Sequence, residues 1–329
     1  MTAALLIPLA CLPRIEAPGP AIAEPSLAEG RVVAADGARL AIRSWLPAAE
    51  PRAVILAVHG FNDYGNFFKD PGAFLAAQGY AAYAYDQRGF GESPSPGLWP
   101  GTEALAGDLG VVVRLLKARH GGRPIFVVGT SMGAAVALVA LTGPEPPAID
   151  GVVLSAPAVW ARSTMPFYQR GALWLASHTL PWMKVTGQGL RIRASDNLEM
   201  LRALSRDPLV IKETRVDAVH GLADLMDAAL EAAPRLATPA LVLYGARDQV
   251  IPGDPVQRMI RSLPETGAER RRIAYYENGW HMLLRDLQGP VVWRDIQSWI
   301  ENKDAPLPSG ADERARALVA ESQARPGSP

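Results

Sequence analysis

The chain has 329 residues, and its Lys+Arg and Asp+Glu both total 33, so the formal net charge is +0. That balance offers no basic field for nucleic acid, and a hydrophobic share of 49% excludes a disordered chain. The single cysteine, Cys11, excludes an intrachain disulfide and a cysteine-built metal site.

The first feature in chain order is a short apolar run over residues 3–10, far below the ~20 residues that a spanning helix needs. It ends in Leu9-Ala10-Cys11 and leads into a Pro-rich stretch. Such a run before a small residue has the form of an export signal, and the small residue beside Cys11 resembles a bacterial lipoprotein processing site. Pro8, Leu9 and the lack of Lys or Arg before the run depart from that pattern. Two readings stand. Either Cys11 is lipidated and the protein sits on the cell envelope, or a solvated leader carries a chance cysteine on a cytoplasmic protein. Residues 1–28 are expected to be leader and linker.

Arg31-Val32-Val33 and Leu40-Ala41-Ile42 flank Asp36-Gly37, which predicts a hairpin. Short apolar runs without alternation then predict buried strands over 53–58, 81–85, 125–128, 152–154, 240–243 and 273–276. Helical patterns lie between most of them. Over 101–119, Leu105, Leu109, Val112, Val113 and Leu116 share one face. Alternating strand and helix predicts an α/β fold with a mostly parallel sheet, helices on both faces and right-handed crossovers. Residues 159–233 break the rhythm with a helical pattern and no convincing strand, and so predict a cap over a site. The expected division is a core over 29–158 and 234–302, a cap over 159–233, and a flexible tail over 303–329 with a short helix around 312–323.

Gly129-Thr130-Ser131-Met132-Gly133 follows an apolar strand and precedes a good helix, the context a nucleophile elbow requires. A serine hydroxyl needs a base, and the chain has five histidines. His59 follows a strand and fits an oxyanion loop. His120 ends a helix before Gly121-Gly122. His178 and His220 fall in the insertion and read as cap surface or packing. His281, in Asn278-Gly279-Trp280-His281 after the last strand, alone comes late enough for the order Ser, Asp, His. The acid is expected at Asp248, where a strand runs into a turn at Gly245. Asp254 is the runner-up and suits turn formation or N-capping better. The oxyanion donors are expected to be the backbone N–H groups of Met132 and Phe61.

Together, His59-Gly60-Phe61, the segment from Asp86 to Ser93 (Asp-Gln-Arg-Gly-Phe-Gly-Glu-Ser), the Ser131 pentapeptide, Gly245-Ala246-Arg247-Asp248 and Trp280-His281 resemble the monoacylglycerol lipase/lysophospholipase group of α/β-hydrolases. The resemblance covers roughly residues 30–302. It implies an eight-stranded core, a helical cap, no cofactor and no metal, and fatty-acyl esters as substrates. One departure is Thr130, where many members of the group carry His. The turn from Asp86 to Ser93 is expected to be structural. Ser131 would attack an acyl carbonyl, His281 would take its proton, and water would cleave the acyl-enzyme. The same triad also suits a proline iminopeptidase-like amide hydrolase or an acyltransferase, and the fold also suits a non-catalytic binding protein. In the cap, Met165, Phe167, Tyr168, Leu173, Trp174, Leu175, Leu180, Trp182 and Met183 crowd together. Half or more of that surface is expected to pack on the core, and the rest to line an acyl tunnel or meet a lipid surface.

Overall fold

The structure is a computed structural model, and it describes residues 12–187, 189, 192–264 and 271–324. Cys11 lies outside the described residues, and so does the lipid-anchor expectation that rests on it.

The predicted hairpin forms from β2 (Arg31–Val33) and β3 (Arg39–Trp45), with Val32 opposite Leu40 and Gly37 at φ +81° in its turn. The parallel strands follow as β4 (Val54–Val58), β5 (Ala81–Tyr85), β6 (Ile125–Thr130), β7 (Gly151–Ser155), β10 (Ala240–Gly245) and β11 (Arg271–Tyr276). Helices α1 (Lys69–Ala77), α2 (Thr102–Arg119), α3 (Met132–Thr142) and α7 (Gly253–Ser262) lie between successive strands, and α8 (Gly289–Glu301) follows the last one. With a further strand, β1 (Ser26–Ala28), at one edge, the sheet order is β1-β2-β3-β5-β4-β6-β7-β10-β11, and β3 is antiparallel to β5.

This is an α/β-hydrolase fold with one strand more than the eight expected. The added strand, β1 (Ser26–Ala28), pairs antiparallel with β2 inside the stretch read as linker. Its three residues are too few for a sequence signal. The stretch before it also lies against the core: Glu16 N–H donates to Trp99 O at 2.8 Å, and Ile22 and Ala23 N–H both donate to Ala35 O.

The inner parallel strands β4 to β7 read as apolar runs because both of their faces are covered, whereas β11 at the sheet's edge opens on Arg271-Arg272 and is only partly buried. Val54, Leu56 and Val58 join Leu105, Leu109 and Leu138 on one side of the sheet. Ile55 and Ala57 join Leu75, Ile296 and Trp299 on the other.

Between β7 and β10 lie α4 (Phe167–Thr179), β8 (Lys184–Val185), α5 (Leu198–Arg206), β9 (Thr214–Arg215) and α6 (Val216–Ala232). Here the structure departs from the expected cap in two ways. A two-residue ladder, β8 with β9, stands where no strand was expected; it is too short to show a period. The last helix, α6, belongs to the core, where Ala223, Leu225 and Ala229 are buried and Gly221 packs against the Trp99 ring. The tail is also docked as far as α9 (Ala311–Ala324). Asp295 accepts from Ser309 N–H and Oγ, and Arg272 pairs with Asp312 at 2.6 Å. Its composition hid this, because much of the binding is polar and, among the residues whose burial is described, the apolar anchors are Leu307, Ala311 and Ala315. Among the described residues no helix is long and apolar enough to cross a membrane, and no cluster of three or more His, Cys, Asp or Glu could hold a metal ion.

Candidate active site

The register of the parallel strands brings the chemistry to one edge. Val58 stands beside Gly129, Thr130 beside Ser155, and Leu243 beside Ser155 on its other side. The loops that leave β4, β6, β10 and β11 therefore emerge together at the carboxyl ends of the strands, where α/β sheets place their ligands.

Ser131 sits between β6 and α3 at φ 51° and ψ −116°, outside the regions that L-residues favour. The two glycines of the motif explain how the turn closes. A Cβ on Gly129 would lie 2.6 Å from Ala134 Cα, and one on Gly133 would lie 2.1 Å from Val58 O. The backbone is locked from both sides: Ser131 N–H donates to Ser155 O at 2.9 Å, and Ser131 O accepts from Ala158 N–H at 3.1 Å. Rigid neighbours thus hold the strained residue in place.

The loops after β10 and β11 bring Asp248 and His281 together. His281 Nδ1 lies 2.8 Å from Asp248 Oδ2, and the carboxylate side chain is fully buried. Asp248 Oδ1 accepts from the amides of Val250 and Ile251 at 2.7 and 3.0 Å. Asp248 thus faces three nitrogens, two through Oδ1 and the His281 ring through Oδ2. Asp254 is exposed in the first turn of α7 and takes no part.

Gly60 approaches the elbow so closely that its nearest neighbour for an added Cβ is Ser131 Cβ, at 3.3 Å. Phe61 follows it, and Met132 is the first residue of α3, where helical N–H groups have no partner within the helix. The two expected oxyanion donors are thus on the segments flanking Ser131. His59 is structural. It is wholly buried, its Nε2 accepts from Gln87 N–H at 3.0 Å, and its Nδ1 lies 2.8 Å from Gly60 O. Accepting at one nitrogen and donating from the other fixes a neutral ring, and burial lowers its pKa. The turn from Asp86 to Ser93 is also structural: buried Asp86 accepts from Arg43 and from the amides of Gly65 and Glu92.

The remaining histidines have partners of their own. His120 caps α2 and pairs with Tyr83 Oη at 2.8 Å. His178 stacks on Trp174 within α4, and His220 contacts Asp224 at 3.3 Å.

Polar contacts with distant parts of the chain, most of them in the insertion, also hold these loops. Asn62, at φ 64°, donates through Nδ2 to Thr214 Oγ1 at 2.6 Å, and its carbonyl accepts from Ile211 N–H. Tyr64 Oη donates to Asp207 at 2.6 Å, and Arg285 pairs with Asp63. These partners are up to 222 residues apart, so no local pattern announces them.

A family model described as serine aminopeptidase, S33, matches residues 49–288. The chain belongs to this family. It is 26% identical over 295 residues to monoglyceride lipase of Mus musculus, an alignment covering 85% of this chain and 92% of the relative. It is 25% identical over 276 residues to monoacylglycerol lipase of Mycolicibacterium smegmatis, covering 80% and 93%. A solved soluble variant of monoglyceride lipase from Saccharomyces cerevisiae, in complex with a substrate analog, superposes with a TM-score of 0.69 at 21% identity, covering 89% of this chain and 99% of that one.

Proposed function

We propose that this chain is a serine hydrolase of carboxylic esters, cleaving fatty-acyl esters such as monoacylglycerols or lysophospholipids. The observation that carries the reading is the buried Asp248–His281 pair at the same sheet edge as the strained, half-buried Ser131 turn. The relatives' names support the ester and the lipid.

In this mechanism Ser131 Oγ attacks the acyl carbonyl and passes its proton to His281 Nε2, while Asp248 holds the Nδ1–H tautomer. The oxyanion takes hydrogen bonds from the Phe61 and Met132 amides. His281 then protonates the departing alcohol. Water, deprotonated by His281, attacks the acyl-enzyme and frees the fatty acid.

The cap favours a lipid over a peptide. Phe167, Tyr168, Trp174, Leu175, Leu180, Trp182 and Met183 are all exposed, and only Met165 and Leu173 of the expected group pack against the core. Less of that surface is buried on the core than the sequence suggests, and we assign the exposed part to contact with a lipid aggregate or membrane surface. A peptide amine would need a free carboxylate near Ser131. Asp207 is taken by Tyr64, and Glu199 and Glu213 face solvent.

The test is kcat/KM for p-nitrophenyl esters of rising acyl length, beside amino-acid p-nitroanilides. Each buried methylene contributes roughly 0.8 kcal/mol, so kcat/KM is expected to rise from two carbons to about eight or more. A maximum at acetyl, or faster cleavage of any anilide than of every ester, would overturn the reading.

A further inference from the structure

A second buried carboxylate, Asp286, lies five positions beyond His281 in the same loop. One of its oxygens accepts the Trp280 amide at 2.7 Å, the peptide N–H immediately before His281. The other accepts the hydroxyl of Ser195 at 2.6 Å. Ser195 comes from the insertion between β7 and β10, yet it is wholly buried. On the other side of His281, the Met282 amide donates to Ala194 O at 3.0 Å. The Arg193 guanidinium lies 4.8 Å over the Trp280 ring, and Arg193 N–H donates to Gln249, next to Asp248, at 2.9 Å. Residues 193–195 thus touch both loops of the acid–base pair.

We propose that Asp286 is a positioning residue for the ester hydrolysis proposed above, fixing the backbone of His281 and tying it to the cap through Ser195. The inference rests on that reading. Asp248 constrains the His281 ring at Nδ1 alone, which leaves rotation about that hydrogen bond. The direction of Nε2 then depends on where the backbone at 280–282 is held. Asp286 holds the amide before His281, and the Ala194 carbonyl holds the amide after it. A carboxylate is suited to the task because it can accept from both the Trp280 amide and the Ser195 hydroxyl at once. Burial raises its pKa, and the two donors act against that rise. A displacement of about 1 Å at the base is enough to cost about 100-fold in rate, so a distant tie of this kind acts on kcat.

The experiment compares Asp286→Ala, Asp286→Asn and Ser195→Ala in the full chain. Two readouts are used: kcat and KM on p-nitrophenyl butyrate, and the rate at which a fluorophosphonate labels Ser131. Asp286→Ala is expected to lower kcat and labelling together by about 30-fold with KM changed less than about twofold. Asp286→Asn keeps an oxygen for the Trp280 amide and is expected to recover to within about fivefold of wild type. Ser195→Ala leaves that oxygen bond intact but cuts the cap tie, and is expected to lower kcat about fivefold. The proposal is overturned if Asp286→Ala keeps kcat and labelling within about twofold, if the change falls in KM alone, or if Asp286→Asn is as slow as Asp286→Ala. Should Asp286→Ala not fold, a Ser195→Ala variant with unchanged kcat overturns it equally. Failure of the ester reading looks different: wild type would take the fluorophosphonate and turn over no ester.

Discussion

Gly133, two residues past the elbow serine, lies directly under the carbonyl of Val58, so that a Cβ on it would stand 2.1 Å from that oxygen. The obstruction is backbone in the middle of the sheet, which cannot move aside. Gly133→Ala is therefore expected to destabilise by about 4 kcal/mol or more, or to prevent folding, as overpacking against rigid atoms does in its most severe cases. Thermal unfolding of the purified variant checks this. A melting temperature equal to that of wild type would show that the elbow is built differently.

The two acids near β10 should separate sharply. Asp248→Asn keeps the shape but presents an amide to His281, favouring the wrong tautomer, and a loss of about 10⁴ in kcat is expected. Asp254→Asn, at an exposed helix start, is expected to stay within about twofold. Steady-state rates on a short-chain ester decide between them. The reverse ranking would remove Asp248 from the site.

Tyr80 and Tyr244 are each pushed up to about 12, in both cases first by burial and next by a nearby carboxylate, Glu301 and Asp248 respectively. Tyr85 and Tyr276 are raised further, again first by burial. Because the folded values exceed the unfolded one, the stability these groups contribute is fully present below about pH 10 and is lost as pH rises through the folded values. The fold should therefore weaken from about pH 10 upward, with these tyrosinates appearing only as the chain opens. Absorbance at the tyrosinate band, followed beside circular dichroism across that range, checks the order of events. Ionisation of all the tyrosines near pH 10 with the fold intact would contradict it.

Much of this architecture was legible in the sequence, for physical reasons that differ by element. The parallel strands announce themselves because burial on both faces forces a continuous apolar run, as in Val54–Val58. The elbow is legible because its glycines meet backbone, and backbone clashes admit no other residue. His281 and Asp248 could be ranked because each follows a strand into a loop. What stayed hidden is polar and distant. Ser195 and Asp286 are 91 residues apart, and each alone is an ordinary residue of a loop. The β1 strand is three residues long, and α6 looked like cap because a helix on the core and a helix over a site share one periodicity.

The exposed face of α4 offers a separate expectation. Phe167, Tyr168, Trp174 and Leu175 recur at i, i+1, i+7 and i+8 and stay open to solvent. Replacing Phe167 and Trp174 together by Ser should weaken sedimentation with phosphatidylcholine vesicles by about tenfold or more, since each ring brings roughly 2 kcal/mol of burial. Turnover of p-nitrophenyl butyrate should change less than about twofold, because neither residue belongs to the reacting edge. Unchanged vesicle binding would mean that this face does not meet lipid.

The most direct test is the release of fatty acid from a monoacylglycerol by wild type and by Ser131→Ala, measured on the same preparation with folding verified. Wild type should release acid, and the variant should lose on the order of 10⁴–10⁶ in kcat, as removal of a triad serine does. Turnover by the variant above about a tenth of wild type would place the nucleophile elsewhere and contradict the account.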